Sequence, residues 1–162
     1  MQSSKQLRFV GDYSLNKVQI STQNGFFQDI TNQVIGLEFF EDIFSPFVTG
    51  NIMVKESLDF INLFPFIGEE YLDIDIETPS VDDKMAIKGK FYIYKLTDRE
   101  LLGDRAVAYQ MHFISTEAVV DRNKKISRTF GDKVSDLVKP FITDNTIGLQ
   151  SKKNVFVEPT VN

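Results

Sequence analysis

The chain has 162 residues with 23 acidic and 18 basic side chains, a formal charge of −5, and the length of about one domain. Apolar residues make up 42% and charged ones 25%, a balance that suits a globular protein and not a disordered one. With no cysteine and one histidine, disulfide frameworks, thiolate metal sites and cysteine nucleophiles are excluded, and most zinc and serine-hydrolase chemistry goes with them. No cofactor is expected. No apolar run approaches the roughly 18 residues of a membrane span, and the opening MQSSKQLRF lacks the apolar stretch of a signal peptide, so a cytoplasmic location is expected. The acidic balance argues against wrapping nucleic acid, which needs clustered Lys and Arg.

In chain order, 15–21 (LNKVQIS) reads as a weak strand and Asn24-Gly25 as a hairpin turn. Residues 34–44 (VIGLEFFEDIF) alternate with the period of a strand and break at Ser45-Pro46, and 50–56 (GNIMVKE) is the return strand of a wide-looped hairpin. A short helix is predicted over 57–67, capped by Ser57 and stopped by Pro65. Leu72, Ile74 and Ile76 then alternate with Asp73, Asp75 and Glu77 in the clearest strand of the sequence. Turn chemistry follows over 78–84, then a long strand over 85–96 in which Gly89 marks a bulge or bend, a loop over 97–103, and a strand over 104–116. Leu37, Phe39, Ile52, Val54, Leu72, Ile74, Ile76, Ile87, Phe91 and Ile93 are the inward positions. A helix is expected from Val134 to Ile142 with Asp132 as N-cap, kinked at Pro140 or ended at Lys139, and 154–158 (NVFVE) is a short strand or extended segment.

No short motif carries chemistry. His112 lies mid-strand without a nucleophile signature beside it and reads as a structural histidine. Asp73-Ile74-Asp75 matches a metal-holding DxD string, but carboxylates two apart on a strand are about 6.6 Å apart and cannot chelate one ion unaided. An exposed acidic face that guards the sheet against stray pairing is the better reading. Charge distribution says more: residues 38–77 hold ten acids against one base, Lys55, so this stretch carries −9 and the remainder +4. A symmetric hairpin about 81–82 would set Asp73 across from Lys90 and Asp75 across from Lys88 and neutralise part of the acidic ladder.

Glu41-Asp42-Ile43 at a strand end, Thr49-Gly50 before the return strand, and Phe64-Pro65-Phe66-Ile67-Gly68-Glu69-Glu70 before the acidic strand occur in an order that resembles the N-terminal barrel of baseplate hub proteins of contractile-tailed bacteriophages. The later order is also similar: the strand Gly89 to Lys95, the strand Tyr109 to Thr116, and Phe130-Gly131-Asp132 opening a helix. The resemblance implies a mainly β chain with a minor α component: a small antiparallel β-barrel of tail-tube type with one flanking α-helix and a short helix. It implies a barrel domain over 1–145, with 146–162 a linker or the start of a following segment. Ending on Val157-Glu158-Pro159-Thr160 is consistent with a cut in such a linker, and the chain would then be the N-terminal portion of a hub or a shortened relative.

The implied role is that of a structural virion protein, not an enzyme, in a homo-oligomeric, trimeric ring between tail tube protein and central spike protein. Other baseplate proteins are further partners, and DNA only passes through the channel. The alternatives are a hub or spike domain of a bacterial contractile injection system, or a stand-alone β-barrel enzyme or ligand binder. Phenylalanine is in surplus for one barrel, so Phe40, Phe44, Phe47, Phe64 and Phe66 are candidate subunit contacts, with lids folded over the barrel ends as the competing reading. Asp73, Asp75 and Glu77 are candidate channel-facing acids, since a conduit for a polyanion must not bind it.

Overall fold

The computed structural model describes residues 13–58, 60–63, 66–78, 86–127, 129–131 and 133–160. Runs of alternating apolar and polar residues become β1 (Ser14–Ser21), β2 (Phe27–Asp29), β3 (Val34–Phe40), β4 (Thr49–Glu56), β5 (Tyr71–Glu77), β6 (Ile87–Leu102) and β7 (Ala106–Ser115). A 3-10 turn, Thr31–Gln33, separates β2 from β3, and the helices are α1 (Phe60–Leu63), α2 (Thr116–Asn123) and α3 (Val134–Thr143). The fold is thus mainly β with a minor α component. The chain divides into two compact units, Met1–Ser115 with the sheet and Thr116–Asn162 with α2 and α3.

The seven strands form one antiparallel sheet in the order β2-β1-β5-β6-β7-β4-β3. Its two edge strands are consecutive in the chain. In a flat sheet six strand spacings would hold β2 and β3 about 29 Å apart. The five Cα steps from Asp29 to Val34 reach about 18 Å at most. The sheet therefore curls into a half-barrel. The bend is fixed by the 3-10 turn, where Val18 donates its N–H to Thr31 Oγ1 at 2.8 Å and accepts at its carbonyl from the Ile30 N–H at 2.9 Å. Inside the curl, Val18, Ile20, Ile52, Val54, Leu72, Ile74, Phe91, Ile93, Tyr109, Met111 and Phe113 are buried. Leu37, Phe39 and Ile76 pack against them from the margin.

The expected register of the acidic hairpin is the observed one, with Asp73 opposite Lys90 and Asp75 opposite Lys88. Several other expectations are corrected. The first long strand leaves the sheet at Phe40, because Asp42 bonds forward to the Phe44 and Ser45 N–H groups and starts the turn early. Residues 97–102 of the predicted loop are instead the continuation of β6, which absorbs two irregularities, between Ile93 and Lys95 and between Thr97 and Glu100, and Gly103 lies in the turn that follows. Gly89 pairs regularly with Ile74, so the bends of β6 lie elsewhere. Ile87, at the start of β6, is exposed and lies outside the core. The bonds described at the start of α1 come from Glu56, whose carboxylate accepts from Leu58 N at 3.3 Å and Phe60 N at 2.6 Å.

In the second unit, α2 is a helix that the periodicity of the sequence does not predict. Lys133 holds the N-cap position of α3 without a side-chain capping bond, and Asp132 lies outside the described residues. Helix α3 runs through Pro140 to Thr143, and Ser135 N is bonded by Thr160 Oγ1 at 2.9 Å. Beyond α3 the chain doubles back, with Leu149 N bonded to Phe141 O and Ser151 N to Ile142 O, both at 2.9 Å. Phe130 packs edge-on against Phe141, with ring centroids 5.2 Å apart. Residues 154–158 belong to no strand.

Candidate functional site

The β3–β4 connection over 41–48 is tightly organised. Asp42 Oδ1 accepts from Phe44 N at 2.9 Å, Asp42 O accepts from Ser45 N at 3.0 Å, and Ser45 Oγ donates to Phe47 O at 3.1 Å. This turn holds Ile43 and Phe44 out into solvent, each 93% exposed. Phe40 is half exposed on the outer face of β3, and Phe47 is half-buried at the base of the loop. Phe66 packs against the core of the half-barrel. Phe64 lies outside the described residues. The described candidates are thus not one patch: Phe40 and Phe44 present apolar surface, whereas Phe66 packs against the interior.

The string that ends Gly68-Glu69-Glu70 builds a turn. Gly68 adopts φ +91°, a conformation that disfavours any side chain. Glu70 is 1% exposed, and its two carboxylate oxygens accept from Ile67 N at 2.8 Å and Gly68 N at 3.0 Å. Its carbonyl accepts from Ile93 N at 3.0 Å, and the Tyr92 hydroxyl donates to Gly68 O. Burial, followed by Tyr71, Glu69 and Glu70, raises the Tyr92 phenol above its ordinary value of 10.0. Glu70 is therefore committed to its own loop, and Glu69 is the exposed member of the pair.

On β5, Leu72 and Ile74 enter the core and Asp73, Asp75 and Glu77 take the other face. Asp75 lies 3.4 Å from Lys88 Nζ and accepts from Asn16 Nδ2 at 3.2 Å. Asp73 accepts from Ser21 Oγ at 3.1 Å, and Glu77 pairs in register with Ser14. Lys90 Nζ stands 4.2 Å from the centroid of Tyr71, whose ring meets Tyr92 edge-on. Lys17 is opposite Asp75 from the β1 side. Three carboxylates and three lysines make this face mixed in sign.

His112 also lies on the outer face, with Nε2 2.8 Å from Thr97 Oγ1, whose hydroxyl donates to Asp98 Oδ2 at 2.9 Å. Since Thr97 has one hydroxyl proton, Nε2 carries the hydrogen and the histidine is a donor. The chain of bonds secures the second irregularity of β6, where Asp98 sits at φ +55°. A cavity of about 260 Å³ opens beside Gln28, Gln33, Glu56 and Tyr109. Its one carboxylate is already engaged by the α1 backbone. Among the described residues, no group of three or more His, Asp or Glu is placed to hold a metal ion.

No family model matches this chain. No curated protein matches it at a significant level either. Among solved structures it is similar to a chain of the Francisella PdpA–VgrG complex, half-lidded, at a TM-score of 0.42 and 17% identity, over 82% of this chain and 22% of that one. This chain thus spans less than a quarter of that neighbour's length, and a likeness of this degree carries no argument about activity or partners.

Sequence reasoning missed the residues that hold these features in place. Glu70 and Glu56 read as members of an acidic stretch, yet both are buried and both accept backbone N–H groups. The signal available was position: each follows or precedes a short break between strands, where backbone donors lack a ladder. Thr49-Gly50 had no physical reason from sequence alone. In the structure a Cβ at position 50 would overlap the Phe113 ring and the Glu38 carbonyl oxygen.

Proposed function

We propose that this chain is a non-enzymatic structural subunit of a contractile-tail baseplate hub, a virion component assembled in the bacterial cytoplasm. Copies of it form a ring that joins tail tube to central spike and surrounds the channel for DNA. The observation that carries this reading is the ordered set of strings that resembles the hub barrel. Two of those strings include residues with a definite structural constraint: Gly50, under Phe113 and Glu38, and Gly68, at positive φ in the turn that Glu70 bonds before β5.

Two features support the assembly part of the proposal. Ile43 and Phe44 project into solvent from a hydrogen-bonded turn and present apolar surface for a dry partner. The outer face of β5 pairs its carboxylates with neighbouring lysines, so a ring lined by it offers few free cations to phosphate. Negative-stain imaging of the purified chain mixed with tail tube and spike proteins tests the reading. Rings or tube caps are the expected result. Inert monomers whose melting temperature rises with a small ligand would overturn it in favour of a ligand-binding barrel. Assembly only with injection-system components would replace the phage tail by that apparatus.

A further inference from the structure

Two parts of the molecule have β-forming sequence and unfilled backbone hydrogen bonds. The first is the free edge of β3, whose ladder partner among the described residues is β4 alone. This edge is seven residues long (VIGLEFF), has one charge, Glu38, and has neither the lysine nor the proline that usually blunts an exposed edge. The second is 154–158 (NVFVE), which lies in no strand and makes no backbone hydrogen bond to another described residue. Phe156 at its centre is 95% exposed.

We propose that residues 154–158 of one copy add as an antiparallel strand to the β3 edge of a second copy. The pairing that sets Val155 opposite Phe39 also sets Val157 opposite Leu37, which continues the core-facing row of β3, since Leu37 and Phe39 pack on the core. Phe156 then falls on the outer face opposite Glu38, diagonal to the half-exposed Phe40 and above Gly36, which leaves room for the ring. The antiparallel direction also carries Lys152 and Lys153 past the end of β3 toward the exposed carboxylates of Glu41 and Asp42, a match of opposite charge that the apolar pairing did not require. Lys153 lies 3.6 Å from Glu117 at an exposed position and exchanges that partner for Glu41. A slip of one residue would turn Phe156 and both valines to the wrong faces. Because donor and acceptor surfaces differ, the contact is heterologous and propagates from copy to copy until a ring closes.

The proposal rests on the self-association contained in the hub reading and assigns its surfaces. It is tested in the full chain, which has no native cysteine. Mixed Glu38→Cys and Phe156→Cys proteins should form a disulfide-linked heterodimer on mild oxidation, in excess over a Glu38→Cys with Glu158→Cys control. Val157→Pro, which deletes a ladder donor where no backbone bond now exists, should leave the melting temperature unchanged and weaken self-association by about tenfold or more. Linkage between two Glu38→Cys chains, linkage within a single doubly substituted chain, or no linkage would each overturn strand donation. Rings with tail components but no 38–156 link would sink this inference and leave the hub reading standing. The link without rings would do the reverse.

Discussion

The ring of Phe113 on β7 fills the space into which any side chain at Gly50 on β4 would project, directly across the ladder that pairs the two residues. Phe113 in turn meets Phe39 edge-on at 5.3 Å and Phe91 at a tilt at 5.0 Å between centroids, so the glycine makes room for a ring at the centre of the aromatic cluster. Gly50→Ala should destabilise the barrel unit by about 3 kcal/mol, the upper end for overpacking, because the new methyl meets backbone as well as ring. Adding Phe113→Leu should recover only part of the loss, since the Glu38 carbonyl still blocks the site. Chemical denaturation of the two variants checks this, and full recovery in the double variant would show that the ring alone excludes the methyl.

Glu70 provides a second point of control. Its buried carboxylate accepts from the N–H groups of the exposed residues Ile67 and Gly68, so Glu70→Ala removes two charge-assisted bonds and should cost about 1.5–3 kcal/mol. Glu69→Ala, one residue away and exposed, should change the denaturation midpoint little. Equal effects from the two variants would mean that the loop is held by something other than this carboxylate.

The difference between these neighbours illustrates how much of the molecule was legible in advance. Alternation carried β5 and the first half of β6 down to the register of Asp73 with Lys90, because each residue of those strands has one buried and one open face. The remainder of β6 was hidden. Its two irregularities reset the period, and TDRELL no longer alternates. The eight residues of α2 (TEAVVDRN) have a weak apolar stripe, and the three of β2 are too few to show a period. Helix α3 crosses Pro140 because a proline seven residues into a ten-residue helix removes a single donor, while the flanking turns keep theirs. In the candidate surfaces, sequence indicated that phenylalanine was in surplus but could not separate Phe44, held outward by Asp42, from Phe66, turned onto the core.

Acid should loosen the second unit through Glu117. Burial acts to raise this carboxyl, but the hydrogen bond from Ser151 Oγ at 2.8 Å and the nearby Lys153 outweigh it, so its pKa lies below the ordinary 4.5. A folded pKa below the unfolded one means that the contribution to stability is full above pH 4.5 and is lost as pH falls through the lower, folded value. In an NMR titration Ser151→Ala should move the Glu117 midpoint upward, and Glu117→Gln should flatten the acid limb of the stability curve of this unit. A Glu117 midpoint unmoved by Ser151→Ala would contradict the assignment.

Finally, the carboxylates of β5 should matter through the lysines they hold. Asp75 faces Lys88 and Lys17, and Asp73 faces Lys90, so neutralising the acids leaves three lysines on a sheet face without opposing charge. In a symmetric ring that small change is multiplied by the number of subunits, and each added phosphate contact steepens the dependence of DNA retention on salt by roughly one logarithmic unit. If this face lines the channel, Asp73→Asn, Asp75→Asn and Glu77→Gln combined should assemble normally and retain DNA at low salt, with release restored as salt rises. Adding Lys17→Gln, Lys88→Gln and Lys90→Gln to that background should abolish the retention. A map of the assembled ring with β5 on its outer wall, or a triple variant that ejects DNA with unchanged salt dependence, would refute the channel position and leave these residues as a self-neutralising surface.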